Sequence, residues 1–228
     1  MKINDIFYSI QGEGKLAGVA SAFVRTSGCN LRCKWCDTPQ ASWELAGESM
    51  TIDDILGRLS SYPTKHVVLT GGEPMIAPGV EELTRRLKEA GYHITIETAA
   101  TVWKDVVCDL ASLSPKTANS TPTERDGGTW AQTHDAARIN VSVIRQFMSL
   151  GDYQLKFVMD RPEDLGEVDE LLTQIGRYDP GHVLLMPQGF TSEEMASRAT
   201  WVAQLCAERG FRYCPRLQIE LFGNTPGT

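Results

Sequence analysis

Three of the six cysteines fall within eight residues, in the run Cys29-Asn30-Leu31-Arg32-Cys33-Lys34-Trp35-Cys36. Thiolates are metal ligands, and three on one short loop converge on a single centre. A closed zinc site takes four Cys or His ligands, and a simple ferredoxin cluster takes four cysteines. No histidine stands nearby: His66, His93, His134 and His182 show no metal-ligand spacing and are assigned no role. An iron-sulfur cluster held by three cysteines leaves one iron open, free to bind a chelating molecule and pass it an electron. That describes a reactive centre. The scattered Cys108, Cys206 and Cys214 read as small buried hydrophobes.

Other stretches gain meaning from where they stand. Gly71-Gly72-Glu73-Pro74 ends the apolar run Val67-Val68-Leu69-Thr70, and glycines there let the backbone approach a ligand closely. Ser114-Pro115-Lys116 and Met186-Pro187-Gln188-Gly189 likewise follow β-like runs. Taken singly, each is an ordinary turn, surface charge or loop. Glu13 and Arg25 would alone be a surface ion pair of little weight, and Thr38-Pro39 a turn.

The elements that must position these residues alternate. Short runs rich in β-branched residues predict strands at Ala22–Thr26, Val67–Thr70, Ile94–Thr98, Val106–Leu110, Gln154–Met159, His182–Pro187 and Arg212–Ile219. Helices are predicted between them: Thr51–Ser61, with Asp54 three residues after Thr51; Pro78–Ala90, stopped by Gly91; Ala136–Leu150; Glu163–Tyr178; and Ser192–Arg209, stopped by Gly210. Such alternation predicts an α/β fold, a partial (β/α) barrel of mostly parallel strands with outer helices. No linker divides the chain, so residues 1–228 read as a single domain. Residues 117–133, rich in Thr, Gly, Pro, Asn and charge, read as an irregular lid or solvated insertion.

Composition narrows the function classes. The 228 residues are 42% hydrophobic and 22% charged, which suits one sizeable core and excludes disorder, collagen and a disulfide miniprotein. A net charge of -7 argues against nucleic-acid or anionic-membrane partners. The opening Met1-Lys2-Ile3-Asn4-Asp5 lacks the apolar stretch of a signal peptide, and no run reaches the roughly 18 apolar residues of a membrane span. A cytoplasmic protein is expected.

The spacing Cys-x3-Cys-x2-Cys resembles the signature of the radical S-adenosylmethionine enzymes. Two stretches, Ile6-Phe7-Tyr8-Ser9-Ile10-Gln11-Gly12-Glu13-Gly14 and Ala22-Phe23-Val24-Arg25-Thr26-Ser27-Gly28-Cys29, are more specific. With Trp35-Cys36-Asp37-Thr38, Gly71 to Pro74, Glu97-Thr98, Ser114 to Lys116 and Leu155-Lys156-Phe157-Val158, they resemble the 7-carboxy-7-deazaguanine synthase family over most of the chain.

The resemblance implies a 4Fe-4S cluster on Cys29, Cys33 and Cys36 and S-adenosylmethionine on its open iron. It implies cofactor contacts at Trp35, Asp37, Gly72, Glu73, Ala100, Ser114, Lys116 and Gln188. Substrate contacts are implied at Ile10, Gln11, Gly12, Glu13, Arg25 and Thr98, and Mg2+ at Thr38. The implied reaction contracts the ring of 6-carboxy-5,6,7,8-tetrahydropterin to 7-carboxy-7-deazaguanine with loss of ammonia, in queuosine biosynthesis. No protein side chain is assigned as catalytic, because the radical forms on the cofactor. An external one-electron reductant such as flavodoxin or ferredoxin, and a homodimer, are implied too.

The chemistry of the residue types agrees: Gln11 and Glu13 suit the amide and amine groups of a pterin edge, and Arg25 offers a fork for a carboxylate. Ala99-Ala100 stand where many relatives carry Ser-Gly. At the C-terminus, Gln218-Ile219-Glu220 occupies the region of a Gln-x-His-Lys pattern, which leaves that side of the pocket open. Two alternatives remain: a radical enzyme that activates a glycyl-radical protein, and a non-catalytic metal-binding module or electron carrier.

Overall fold

The computed structural model describes residues 1–225 and Gly227, with the backbone alone for Arg125 and Asp126. Pro226 and Thr228, which belong to the unmatched C-terminal stretch, lie outside the described residues.

The chain opens with a hairpin, β1 (Lys2–Ile10) and β2 (Ala20–Thr26), followed by the short α1 (Pro39–Ser42) and a two-residue strand β3 (Glu48–Ser49). Strand–helix units follow: α2 (Ile52–Leu59), β4 (His66–Gly71), α3 (Val80–Glu89), β5 (His93–Thr98) and β6 (Leu110–Leu113). Then come α4 (Ala131–Ala137), α5 (Val141–Met148), β7 (Asp152–Met159), α6 (Asp164–Ile175), β8 (Val183–Pro187), α7 (Ser192–Arg209), β9 (Arg212–Tyr213) and α8 (Leu217–Phe222). One sheet runs in the order β3-β1-β2-β4-β5-β6-β7-β8-β9, parallel from β2 onward, with β1 antiparallel to both its neighbours. β3 and β9 are its edges, so the fold is an α/β partial barrel with outer helices. No described helix is long and apolar enough to cross a membrane.

Strand residues alternate between two faces. Val67, Leu69, Ile94, Ile96, Ala111, Leu113, Leu155, Phe157, Val183 and Leu185 join the core shared with the helices. The residues between them include Thr70, Glu97, Ser112, Lys156 and Met186, which line a cavity on the opposite face. Polar side chains set into buried strands therefore mark the inner wall. The loops that follow the parallel strands carry the cysteines, Gly71 to Pro74, Ser114 to Lys116 and Gln188, at the strand ends where barrel enzymes place their chemistry.

Three predicted elements change. The run Val106–Leu110 is not a strand: Val107 N–H goes to Thr84 Oγ1 and Asp109 binds Ile94 N–H through its carboxylate, so the ladder begins at Leu110. Ala136–Leu150 is two helices, because the Asn140 side chain caps Val143 N–H and starts α5 afresh. Arg212–Ile219 is strand for two residues only; Pro215 supplies no donor to a ladder, and α8 begins at Leu217. The N-terminal strand β1 was absent from the predicted set.

Candidate active site

The three cysteines face one cavity of about 680 Å³. Their loop is fixed chiefly by backbone: Gly28 N–H donates to Ala41 O (2.7 Å), Glu73 N–H to Gly28 O (2.8 Å) and Gly72 N–H to Thr26 O (3.2 Å). Gly72 is required by this approach, since a Cβ there would run into the Gly28 carbonyl. The Arg32 guanidinium donates to Cys29 O (2.7 Å) and Leu31 O (2.8 Å) while lying over the Trp130 ring (4.4 Å).

Residues 117–134 pack against this loop from outside. Lys34 N–H donates to Ser120 O (2.8 Å), Trp35 Nε1 to Asn119 O (3.0 Å), and Arg32 N–H to His134 Nδ1 (3.1 Å). Accepting at Nδ1 puts the His134 proton on Nε2, facing Ser120 Oγ at 2.9 Å. Burial lowers the pKa of His134, which keeps the ring neutral for this task. Thr117, Asn119 and Ser120 are buried, whereas Thr123 and Glu124 are exposed.

Three thiols around one cavity fit the donor set of a cluster with one open iron. Burial raises the Cys29 thiol to about 12 and the Cys33 thiol to about 11. Iron must therefore displace their protons, as metal binding to thiols does generally. The Thr38 hydroxyl makes no helix-cap bond and borders the cavity beside Cys36. Lys116 donates to Ser114 Oγ (2.9 Å) and stands 5.4 Å from the Trp35 ring centroid.

Of the predicted contacts, all but two line this cavity: Ile10, Gln11, Gly12, Glu13, Arg25, Trp35, Asp37, Thr38, Gly72, Thr98, Ser114, Lys116 and Gln188 are in its wall. Glu73 and Ala100 are not. The buried Glu73 carboxylate turns inward, accepting from Thr98 Oγ1 (2.6 Å), Ala99 N–H (2.8 Å) and Met75 N–H (3.1 Å). Burial pushes its pKa up against these bonds. Ala100, fully buried at φ 56°, supports the same turn.

At the far end Glu13 does not pair with Arg25, whose guanidinium instead lies over Phe7 (5.4 Å). Glu13 pairs with Lys156, and its Oε1 accepts from Arg216 Nε (3.1 Å) and Gln218 Nε2 (2.9 Å). Burial alone would raise its pKa, but the two cations outweigh it and hold the carboxyl well below the usual range. Arg216 also donates to Gly189 O and to Asp37 Oδ2, each at 2.5 Å. Gln11 accepts from Glu13 N–H (3.0 Å) and donates to Glu97 Oε1 (3.1 Å). Gly12 admits α8: Leu217 N–H meets Gly12 O at 3.0 Å, and a Cβ would strike Gln218.

Sequence reasoning missed Lys156, Arg216, Gln218 and Glu97 as parts of the wall. A lysine inside the apolar run Leu155–Met159 and a glutamate ending Ile94–Ile96 were readable signals, since buried charges require partners. Gln218 stood only in the incompletely matched C-terminal pattern, and nothing local marks Arg216. Cys206 and Cys214 are buried as predicted, but Cys214 also accepts from Gly14 N–H (3.2 Å), and Cys108 is only partly buried.

The Radical SAM superfamily model matches residues 23–139. With the three-cysteine loop at the mouth of an open parallel barrel, this places the chain in the radical S-adenosylmethionine superfamily. It is 47% identical over 238 residues to the 7-carboxy-7-deazaguanine synthase of Halobacterium salinarum, covering all of this chain and 93% of that protein. To the enzyme of that name from Rhodopirellula baltica it is 45% identical, covering 99% of this chain and 88% of the other. The crystal structure of QueE from Escherichia coli shares the fold at a TM-score of 0.69 and 24% identity, covering 93% and 92% of the two chains. The chain belongs to the 7-carboxy-7-deazaguanine synthase family.

Proposed function

We infer that this chain converts 6-carboxy-5,6,7,8-tetrahydropterin to 7-carboxy-7-deazaguanine, using a 4Fe-4S cluster, S-adenosylmethionine and Mg2+. The observation that carries the reading is one cavity whose wall holds Cys29, Cys33 and Cys36 together with Gln11, Glu13 and Arg25. The substrate minus ammonia gives the product, so no net oxidant is consumed.

Held by Cys29, Cys33 and Cys36 and the cavity wall, the cluster and S-adenosylmethionine would supply the radical chemistry that starts the reaction. The chain's own residues hold and shield the reactants. Gly72 leaves its peptide bare beside the cluster loop, and Ser114, Lys116, Trp35, Asp37 and Gln188 offer polar and aromatic contacts to the cofactor. Thr38 offers magnesium a hard oxygen, and Arg25 offers the substrate carboxylate a guanidinium. Ile10, Gly12 and Thr98 complete the substrate wall. Glu73 and Ala100 hold the β4 and β5 turns through the Thr98 hydroxyl and so act on the cofactor indirectly.

Residues 1–228 are proposed as one catalytic domain, with 117–133 bracing the cluster loop. A cytoplasmic homodimer fed by flavodoxin or ferredoxin fits the family. A glycyl-radical activating enzyme or a metal-binding module would leave the Glu13 end of the cavity without a purpose.

The test is anaerobic incubation of the reconstituted protein with dithionite, S-adenosylmethionine, magnesium and 6-carboxy-5,6,7,8-tetrahydropterin, followed by mass spectrometry. 7-Carboxy-7-deazaguanine should form. Cofactor cleavage without that product would overturn the substrate assignment.

A further inference from the structure

Lys156 is buried to 5% exposure in the middle of β7, and its ammonium meets Glu13 Oε2 within the cavity wall. Counting donors and acceptors shows what this pair leaves for a ligand. A carboxylate accepts about four hydrogen bonds, two on each oxygen. Both positions on Glu13 Oε1 are taken, by Arg216 and Gln218, and Lys156 takes one on Oε2. One acceptor position remains. Each nitrogen of Arg216 is already engaged, by Glu13, Gly189 O and Asp37. Lys156 has three protons and Glu13 as its hydrogen-bond partner, with further donors to give. The charges of Glu13 and Glu97 outweigh burial and raise the pKa of Lys156, so it stays a donor.

We propose that Lys156 determines specificity by reading a lactam edge together with Glu13: its ammonium donates to the ring carbonyl oxygen while the remaining acceptor on Glu13 takes the adjacent ring N–H. This rests on the substrate reading above, because 6-carboxy-5,6,7,8-tetrahydropterin presents that edge at its 4-oxo group and N3–H. An amino group in place of the carbonyl would set donor against donor around a buried cation. The site would reject it for want of a partner.

The test is equilibrium binding, without turnover, to the anaerobic holoenzyme carrying cluster and S-adenosylmethionine. The probes are oxidised 6-carboxypterin and its 4-amino analogue, 2,4-diaminopteridine-6-carboxylate. Wild type should prefer the 4-oxo compound on the order of 100-fold. Lys156→Met should weaken 4-oxo binding about 10- to 100-fold and bring the two ligands within a few-fold of each other, with Lys156→Arg retaining part of the preference. The double variant Glu13→Gln/Lys156→Met, which strands no carboxylate, should also lose it. Equal binding of the two probes by wild type overturns the proposal whether or not any variant folds, and so does a preference that survives in Lys156→Met. Wild-type turnover of the tetrahydropterin without discrimination removes the role of Lys156 alone. No turnover and no binding of either probe removes the substrate reading, and this inference with it.

Discussion

The two ends of the cavity are built by different means. At the cluster end, position comes from backbone hydrogen bonds and a bare glycine: Gly28 to Ala41, Glu73 to Gly28, and Gly72 against the Gly28 carbonyl. At the substrate end it comes from buried charge, with Glu13 bonded to residues 143 and 203 positions away. The first end is held chiefly by bonds between uncharged backbone groups and admits no side chain at Gly72. The second is sensitive to loss of charge, because removing one partner of a buried pair strands the other.

Substitutions separate the two constructions, and the largest effect belongs to the cluster end. Cys33→Ala should abolish product formation and lower bound iron and sulfide, measured on the same anaerobic sample. Gly72→Ala forces the cluster loop off the β4 turn and should cut turnover on the order of 100-fold, while 6-carboxypterin binding changes little. Equal losses of binding and turnover would show that the ends are not independent.

At the charged end, Glu13→Gln leaves Lys156 without its carboxylate partner and Arg216 with Asp37 alone, and should cost about 3–5 kcal/mol of stability near neutral pH. The sign with pH follows from the depressed pKa of Glu13. Its contribution is complete above the unfolded glutamate value of about 4.3 and is lost as pH falls through the lower folded value. Denaturant titrations from neutral to acid pH should therefore show part of the wild-type acid loss missing in Glu13→Gln. Parallel curves would contradict the assignment. His134→Ala should cost about 1–3 kcal/mol by freeing the Arg32 amide, seen as faster hydrogen exchange at that amide. Thr51→Ala, which opens the capping box of α2 far from both ends, should cost about 1 kcal/mol and leave turnover unchanged.

The same division explains what could be read from the sequence. The cluster end was legible because its ligands and the Gly71 to Pro74 turn are local words, each complete within a few residues. Most of the helices and parallel strands were legible from periodicity. The run Val106-Val107-Cys108 misled, since its apolar character serves packing while Thr84 and Asp109 divert the backbone bonds. Gly71 to Pro74 was found, yet Glu73 turned out to hold the turn rather than face the cavity. The charged end was half legible: Glu13 stood in a recognisable stretch, but its partners Arg216, just before α8, and Gln218, within it, lie where the strand pattern failed. Sequence spacing carries no information about a bond that closes over such a distance.

The central claim is that both ends serve one reaction, with the ligand at the Glu13 end delivering its hydrogen to a cofactor at the cysteine end. The direct measurement is anaerobic turnover of 6-carboxy-5,6,7,8-tetrahydropterin deuterated at C6, with mass analysis of the recovered S-adenosylmethionine and 5'-deoxyadenosine. Deuterium in the cofactor alongside 7-carboxy-7-deazaguanine is the predicted result. Product formed with no deuterium ever reaching the cofactor would contradict it.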